Sequence, residues 1–205
     1  MPYLEYIKMK RLLVGVGHAG IDIVENISDE LGLPTMAVDL DRYCVHQAHA
    51  DYSIFVNEGK VEDSSKLRID NEFHIDNIED IQEIFSRYDM IYLISALGGR
   101  AGGVIFPALA KEAIRLGKKV KPKVILPFEI ESTRREIAEI FLENLEELFE
   151  QIDVYDNNEY VKHSDKEVSL DSIYSINSLF EEINRDILRE IQKDLIHEET
   201  QENYY

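Results

Sequence analysis

The sequence predicts an α/β fold in three layers, with a mostly parallel sheet between helices and a long core helix near the carboxyl end. Two observations predict it. Short apolar runs alternate with segments whose apolar residues recur every three or four positions, the pattern of strands alternating with amphipathic helices. The hydrophobic share of 44% is also high enough for the chain to bury a substantial core.

Each predicted strand is a short run rich in Val, Ile, Leu or Tyr that ends near a glycine, proline or aspartate. The run at 52–56 is expected to be an edge strand. The predicted strands are 10–16, 35–40, 52–56, 90–96, 123–127 and 152–155.

Each predicted helix carries an apolar stripe at helical spacing. Gly32 is expected to stop the first helix, and Asn77 and either Ser132 or Thr133 are expected to cap two others. Residues 44–72 have the least regular pattern and predict a long polar loop around the edge strand. The predicted helices are 19–31, 77–85, 103–116, 132–151 and 169–197.

Charge and composition exclude several classes of protein. The 205 residues include 41 acids, 22 bases and one cysteine, for a net charge of −19. Excess acid disfavours nucleic-acid binding, which needs clustered Lys and Arg, and one cysteine excludes a disulfide framework. No run approaches the roughly 18 apolar residues that span a bilayer, and the N-terminus does not read as a signal peptide. We therefore expect a cytoplasmic protein without direct membrane insertion.

A first glycine loop follows the first predicted strand and opens a helix. It reads Gly15-Val-Gly17-His18-Ala19-Gly20, a G-x-G-x-x-G pattern in which backbone N–H groups can approach phosphate oxygens. Asp39 ends the second strand, where a dinucleotide-binding fold places an acid on the ribose 2′-hydroxyl. Taken alone, the first glycine loop and Asp39 predict NAD binding. The alternative is a tight strand–helix turn with an ordinary aspartate at the end of the strand.

A second glycine loop, which an ordinary dinucleotide-binding fold does not need, makes NAD binding a less favoured interpretation. Residues 97–103, LGGRAGG, again follow a strand and open a helix. Two such loops at the carboxyl ends of parallel strands would hold one polyphosphate from two sides. Arg100 could add a charge-assisted contact, and a turn that merely packs a helix on the sheet is the alternative.

These loops and three later segments resemble the tubulin/FtsZ superfamily over about residues 10–195. GHAGIDIV at 17–24 resembles tubulin's GQAGVQIG, and residues 92–110 resemble the FtsZ segment around GGGTGTG. VILPFEIESTRRE at 124–136 resembles the sugar-binding loop, and residues 153–160 and 169–192 resemble the next loop and the central helix. The resemblance implies a Rossmann-like three-layer fold of the tubulin/FtsZ GTPase-domain type.

The resemblance also implies a ligand and a set of binding residues. The ligand would be GTP or GDP, with Mg²⁺ as a candidate companion. Glu131 would accept from ribose hydroxyls, Arg135 would lie near the sugar or phosphate, and Asn157 and Asn177 would read guanine. Tyr174 neighbours the position of the family's stacking aromatic. The implied nucleotide-binding residues are Gly17, His18, Ala19, Gly20, Asp22, Asp39, Gly98, Gly99, Arg100, Ala101, Gly102, Glu131, Arg135, Asn157, Tyr174 and Asn177.

The sequence departs from the family pattern in three places. The second glycine loop has Arg100, Ala101 and Val104 where the family has glycine, threonine and glycine. The third loop, expected between residues 56 and 70, has one glycine, Gly59. We expect residues 1–197 to form a single nucleotide-binding domain and 198–205 a polar tail, with no activation domain and no loop of catalytic carboxylates. No catalytic residue is therefore assigned, and weak or absent autonomous hydrolysis is expected.

Three functional hypotheses follow from these patterns. The leading one is a guanine-nucleotide-binding protein that regulates or assists a cytoskeletal or cell-division filament, by binding a full-length FtsZ/tubulin-like protein or itself. The second is an NAD-dependent oxidoreductase, and the third is a degenerate scaffold that binds no nucleotide. No metal site is predicted, since the spacing of Cys44, His46 and His49 fits no closed zinc site.

Overall fold

The structure is a computed structural model that describes residues 9–56, 75–163 and 173–202. In these ranges six strands form one sheet in the order β3-β2-β1-β4-β5-β6, and every neighbouring pair is parallel. This confirms the predicted α/β fold with a parallel sheet. The strands are β1 Arg11–Val16, β2 Thr35–Asp39, β3 Tyr52–Phe55, β4 Met90–Ala96, β5 Lys119–Leu126 and β6 Asp153–Asp156.

Helices connect the strands and account for most of the remaining described chain. Gly32 ends the first helix with a φ of 59°, a left-handed conformation that suits glycine. Among the helices described, none is both long enough and apolar enough to span a bilayer. The helices are α1 Gly17–Leu31, α2 Arg42–Gln47, α3 Ile78–Ser86, α4 Arg100–Arg115, α5 Ser132–Glu146, α6 Asn157–His163 and α7 Ile173–Glu202.

The two faces of the sheet are covered by different helices. On one face, Ile27 of α1 and Ile187 of α7 pack with Leu13 and Tyr92 in one buried cluster. On the other face, α3, α4 and α5 contribute side chains such as Phe106 to a second cluster. Burial of the apolar stripe of α7 explains why a helix of 30 residues runs along the sheet, as the sequence predicts for a core helix.

Several element boundaries differ from the prediction. Helix α4 begins at Arg100 rather than at 103, because Gly102 and Gly103 are helical residues that pack closely against the Ala96 carbonyl and the Phe141 ring. Strand β5 begins at Lys119 rather than at 123. Lysines alternate with other residues in the first part of this strand, so that part lacks the apolar run from which a strand is predicted.

The predicted helix caps and two short helices also differ. Asn77 is the N-cap residue of α3, as predicted, but its side chain makes no capping bond there and its Nδ2 donates to the Phe55 carbonyl instead. Helix α5 has Glu131 as its N-cap residue, so the expected Ser132 or Thr133 cap is wrong, and the helix ends at Glu146. Helices α2 and α6 span 6 and 7 residues, too short to show a clear periodicity in sequence.

The strand order creates a switch point between β1 and β4. The chain runs outward from β1 to β3 and then returns to β4, which lies against the other side of β1. The helices that follow β1 and β4 therefore lie on opposite faces of the sheet. In open α/β sheets, ligands bind in the crevice outside the carboxyl ends of the strands at such a point.

Candidate functional site

The carboxyl ends of β1 and β4 are tied together by a buried side chain. Val16 is in register with Ser95, and the Ser95 hydroxyl donates a hydrogen bond of 2.8 Å to the Val16 carbonyl. Ser95 is fully buried. The two glycine loops therefore leave the sheet from adjacent, fixed points.

Glycines allow the two loops to touch each other. Gly17 has a φ of 73°, and a Cβ built on it would lie 2.9 Å from the Cβ of Ala101 in the second loop. Gly20 lies against the Ile94 carbonyl, so α1 packs closely on β4. Gly98, with a φ of 81°, lies against the Arg134 carbonyl, which brings the start of α5 to the second loop. A larger residue would separate the two loops at Gly17, α1 from β4 at Gly20, and the second loop from α5 at Gly98.

Both helices at the switch point start without a capping side chain. Val16 and Gly99 are the N-cap residues of α1 and α4, neither makes a side-chain capping bond, and neither helix has an acid in its first turn. The first N–H groups of each helix thus lack intrahelical acceptors and carry partial positive charge. A Cβ on Gly99 would meet nothing within 4 Å, so there is open space at this point. Two such N-termini side by side suit a polyphosphate.

His18, in the first loop, lies between a thiol and a carboxylate. Its Nδ1 is 3.2 Å from the Cys44 Sγ, and its Nε2 is 3.4 Å from an Asp22 carboxylate oxygen. Burial first, and then the charge and hydrogen bond of Asp39, raise the pKa of Cys44 to about 12. The thiol is therefore neutral at physiological pH, which disfavours a nucleophilic role.

Asp39 closes the turn that follows β2. Its Oδ1 accepts hydrogen bonds from the backbone N–H groups of Leu40 at 2.6 Å and Asp41 at 3.1 Å, and the residue is 7% exposed. These bonds give Asp39 a structural role that the sequence did not reveal. Its contact with a ribose hydroxyl stays a prediction.

Glu131 lies at the start of α5, beside the second glycine loop. Its Oε1 accepts from the Phe128 N–H at 3.3 Å, and its Oε2 is 2.5 Å from Arg134 Nη1. The side chain is 31% exposed. It keeps part of its carboxylate at the surface, where it could accept a hydrogen bond from a ribose hydroxyl.

Arg135 forms a two-pronged ion pair with Asp156 at the end of β6. Its Nη1 and Nη2 donate to the two Asp156 carboxylate oxygens at 2.8 and 2.7 Å. Burial opposes ionisation of Asp156, but the hydrogen bonds from Arg135 and Asn158 outweigh it and lower the pKa of this carboxyl. The contact of Arg135 with a sugar or phosphate stays a prediction.

Asn157 follows Asp156 directly and is 5% exposed. Its side-chain Oδ1 is buried and accepts no hydrogen bond from any residue that the structure describes. A buried acceptor without a donor is costly, which makes this atom a candidate for a ligand contact. Asn158, beside it, accepts a hydrogen bond of 3.2 Å from the Glu129 N–H.

The remaining predicted site residues have less definite positions. Arg100 is exposed at the first position of α4, and Asn177 is exposed early in α7. Tyr174 lies in α7, but its side chain is outside the described residues, as is the whole third loop with Gly59.

Two residues of this region were missed in the sequence. Ser95 is the polar residue in the apolar run MIYLISA of β4, and Asp156 directly precedes a predicted ligand. Both signals are weak without the strand pairing, because one polar residue in a strand does not reveal its partner.

A family model described as "Tubulin/FtsZ family, GTPase domain" matches residues 10–165. The chain belongs to the tubulin/FtsZ family. It is 27% identical over 178 residues to the cell division protein FtsZ of Aquifex aeolicus, a match that covers 84% of this chain and 47% of that protein. It is 31% identical over 156 residues to FtsZ 2 of Haloferax volcanii, covering 72% of this chain and 38% of that protein. The chain thus matches less than half the length of these relatives.

Solved structures of the tubulin/FtsZ family share the fold. The empty FtsZ dimer of M. jannaschii superposes with a TM-score of 0.72 at 21% identity, covering 94% of this chain and 56% of that one. TubZ of Clostridium botulinum phage c-st gives a TM-score of 0.60 at 17% identity, covering 91% and 59%. The first glycine loop, the second glycine loop and β6 all lie within the range that the family model matches.

Proposed function

We propose that this chain binds a guanine nucleotide at the switch point between β1 and β4. The observation that carries the proposal is the pair of uncapped helix N-termini, at Gly17 and Arg100, which lie side by side at adjacent strand ends. The phosphates would lie between them and accept from the first-turn N–H groups. Membership of the tubulin/FtsZ family supports this assignment.

The sugar and base would extend from the phosphates toward β5 and β6. Gly98 lies against the start of α5, so Glu131 is near the second glycine loop and would accept from a ribose hydroxyl. The buried Asn157 Oδ1 would accept from the N1–H or 2-amino group of guanine, and Asn177 would complete the base contact. Adenine offers no donor at either of these positions.

Mg²⁺, where it accompanies the nucleotide, would be held mainly by phosphate oxygens and water. Among the described residues, no group of three or more His, Cys, Asp and Glu side chains is arranged to hold a metal. This suits Mg²⁺, which in nucleotide sites binds one or two carboxylates and the phosphates. Asp22 is one of the predicted nucleotide-binding residues. It is an exposed acid on α1, the helix that follows the first glycine loop.

Hydrolysis by this chain alone is proposed to be weak or absent. The second glycine loop has Arg100 and Ala101 where the family pattern has glycine and threonine, and Val104 replaces its last glycine. Phosphoryl transfer depends on positioned charge and an oriented water, so these replacements at the phosphate loop would slow it.

The cellular role that fits this chemistry is that of an accessory or regulatory subunit. The relatives are named cell division proteins, and one solved neighbour is titled a filament. We propose that the chain binds a full-length FtsZ- or tubulin-like protein, or a second copy of itself, in a nucleotide-dependent way.

The experiment that tests the nucleotide proposal is identification of the bound ligand. Protein purified without added nucleotide is denatured, and the released compounds are separated by ion-exchange chromatography. GDP or GTP is the expected product, and NAD would restore the oxidoreductase hypothesis.

The filament role is tested by co-sedimentation with a full-length FtsZ. If this chain changes neither the mass nor the length of the FtsZ polymer, with GTP or with GDP, the proposed role is contradicted.

A further inference from the structure

The segment that carries the buried Asn157 is closed by a hydrogen bond between the residues on either side of it, Asp156 and Asn158. The Asp156 Oδ1 accepts from the Asn158 N–H at 2.9 Å, so this carboxylate closes the turn around Asn157. Asn158 is fixed again by the 3.2 Å hydrogen bond that its Oδ1 accepts from the Glu129 N–H. Asn157 therefore lies in a short segment whose neighbours have defined partners.

Asp156 is in turn held by Arg135, which is occupied by protein groups. Its Nη1 donates to the Pro127 carbonyl at 3.0 Å and to Asp156 at 2.8 Å, its Nη2 donates to Asp156 at 2.7 Å, and its Nε donates to Glu139 at 2.8 Å. Four of the five guanidinium N–H groups are thus engaged. The side chain is 15% exposed, so it is a poor candidate for a direct nucleotide ligand.

The same arginine is one helical turn from Glu131. The Arg135 N–H donates to the Glu131 carbonyl at 2.9 Å, in the first turn of α5. Arg135 therefore connects the proposed sugar-binding residue on α5 with the proposed base-binding residue at the end of β6. A planar, two-pronged ion pair restricts the relative orientation of the two side chains more tightly than a single hydrogen bond does.

We infer that Arg135 and Asp156 are a positioning pair that sets the base selectivity of this site, by holding the Asn157 Oδ1 at a fixed place relative to Glu131. The inference rests on the proposed guanine site. In this proposal neither residue touches the nucleotide, which replaces the sugar or phosphate contact that the resemblance implies for Arg135. With the pair intact, the buried acceptor faces a guanine donor; without it, Asn157 loses its fixed orientation and guanine loses its advantage over adenine.

The test compares the dissociation constants of GDP and ADP by calorimetry on nucleotide-free protein. Wild type is expected to prefer GDP. Asp156→Asn keeps the size of the side chain and removes its charge, and Arg135→Lys keeps the charge and removes the fork. Each variant is expected to raise the dissociation constant of GDP by about tenfold or more. The dissociation constant of ADP should stay within about twofold of its wild-type value.

Two further variants separate positioning from general damage. Glu139→Gln removes another partner of Arg135 and leaves the fork to Asp156 intact, so it should keep the wild-type GDP preference. The double variant R135K/D156N should bind GDP no worse than either single variant, because the two residues act as one unit. Thermal melting of every variant confirms that it is folded, and R135K carries the test should D156N not fold.

The outcomes distinguish this inference from the proposed function. A wild type without GDP preference contradicts the guanine site, and this inference with it. A wild type that prefers GDP, together with folded R135K and D156N variants that keep the same preference, overturns the positioning pair alone. An equal loss of GDP and ADP affinity also overturns it, since that would be a general effect on the fold.

Discussion

The Ser95 hydroxyl donates a 2.8 Å hydrogen bond to the Val16 carbonyl across the junction of β4 and β1. Both residues are buried, at the strand ends from which the glycine loops depart. Ser95→Ala leaves the hydroxyl's place empty and removes this bond, so we expect the free energy of unfolding to fall by about 1 to 2 kcal/mol. Urea denaturation measures the change.

Ser53 provides the matched control for this substitution. It is also a strand serine, but it is exposed on the edge strand β3. We expect Ser53→Ala to change the free energy of unfolding by less than about 0.5 kcal/mol. Equal effects of the two substitutions would show that the Ser95 bond does not tie the two strand ends.

Gly17 combines a left-handed backbone with close contact between the two glycine loops. Gly17→Ala would strain the φ of 73° and bring a methyl group within 2.9 Å of the Ala101 methyl. The left-handed backbone alone costs an alanine about 1 kcal/mol, so we expect the free energy of unfolding to fall by more than that. We also expect a clear loss of GDP affinity, because the two loops are pushed apart.

Gly32 separates these two effects. Its φ of 59° is similarly left-handed, yet an added Cβ would meet nothing within 4 Å, and it lies at the other end of α1. Gly32→Ala should therefore cost about 1 kcal/mol of stability and leave GDP binding unchanged. If both substitutions weaken GDP binding equally, contact between the loops is not what forms the proposed phosphate site.

Lys123 is a buried cation held by two acids from different elements. It is 1% exposed, and its Nζ lies 2.6 Å from Asp153 of β6 and 3.1 Å from Glu190 of α7. Lys123→Met leaves both acids without their cation, and we expect the free energy of unfolding to fall by about 3 kcal/mol. Thermal and urea unfolding both report this loss.

Lys121 is the control on the same strand. It is 38% exposed and lies 3.6 Å from Asp194 of α7, which makes it a surface pair. Lys121→Met should cost less than about 1 kcal/mol. A similar cost at both positions would indicate that burial of Lys123 adds nothing to the attachment of α7.

The Arg135–Asp156 pair predicts a pH dependence of stability. The pKa of Asp156 is lowered below its ordinary value of 3.8 by hydrogen bonds that outweigh burial. An acid that binds its proton more weakly when folded stabilises the protein above its unfolded pKa, and this contribution is lost as the pH falls through the folded pKa. The stability gap between wild type and D156N should therefore be constant near neutral pH and shrink below pH 3.8.

Unfolding by urea at a series of pH values measures that gap. Glu139→Gln serves as the comparison, because it removes a more exposed partner of the same arginine. A gap between wild type and D156N that does not shrink below pH 3.8 would contradict the assigned ionisation of Asp156.

The sequence predicted the sheet and the positions of the two glycine loops because their signals are local. An apolar run such as that of β4 and a glycine loop such as 97–103 can each be recognised without knowing what lies beside them. The start of α4 was misplaced because glycine normally weakens a helix, whereas Gly102 and Gly103 are needed there for close packing on β4 and α5.

The contacts that organise the site could not be predicted in the same way. Arg135 and Asp156 are 21 residues apart, and Lys123 and Glu190 are 67 apart, so their pairing depends on the order of the strands. The place of Asp39 after β2 predicts a ligand contact, which stays a prediction, but it did not reveal that the Asp39 Oδ1 accepts from its own turn. Side-chain partners across elements need the fold before they can be named.

Calorimetric titration of nucleotide-free protein with GDP, ADP and NAD is the most direct test of the guanine site. We expect one site that binds GDP, with ADP at least about tenfold weaker and NAD silent. We also expect Asn157→Ala to abolish the preference for GDP, since the buried Oδ1 is its proposed source. Binding of NAD in place of GDP, or silence toward all three ligands by the folded protein, would contradict the proposed site.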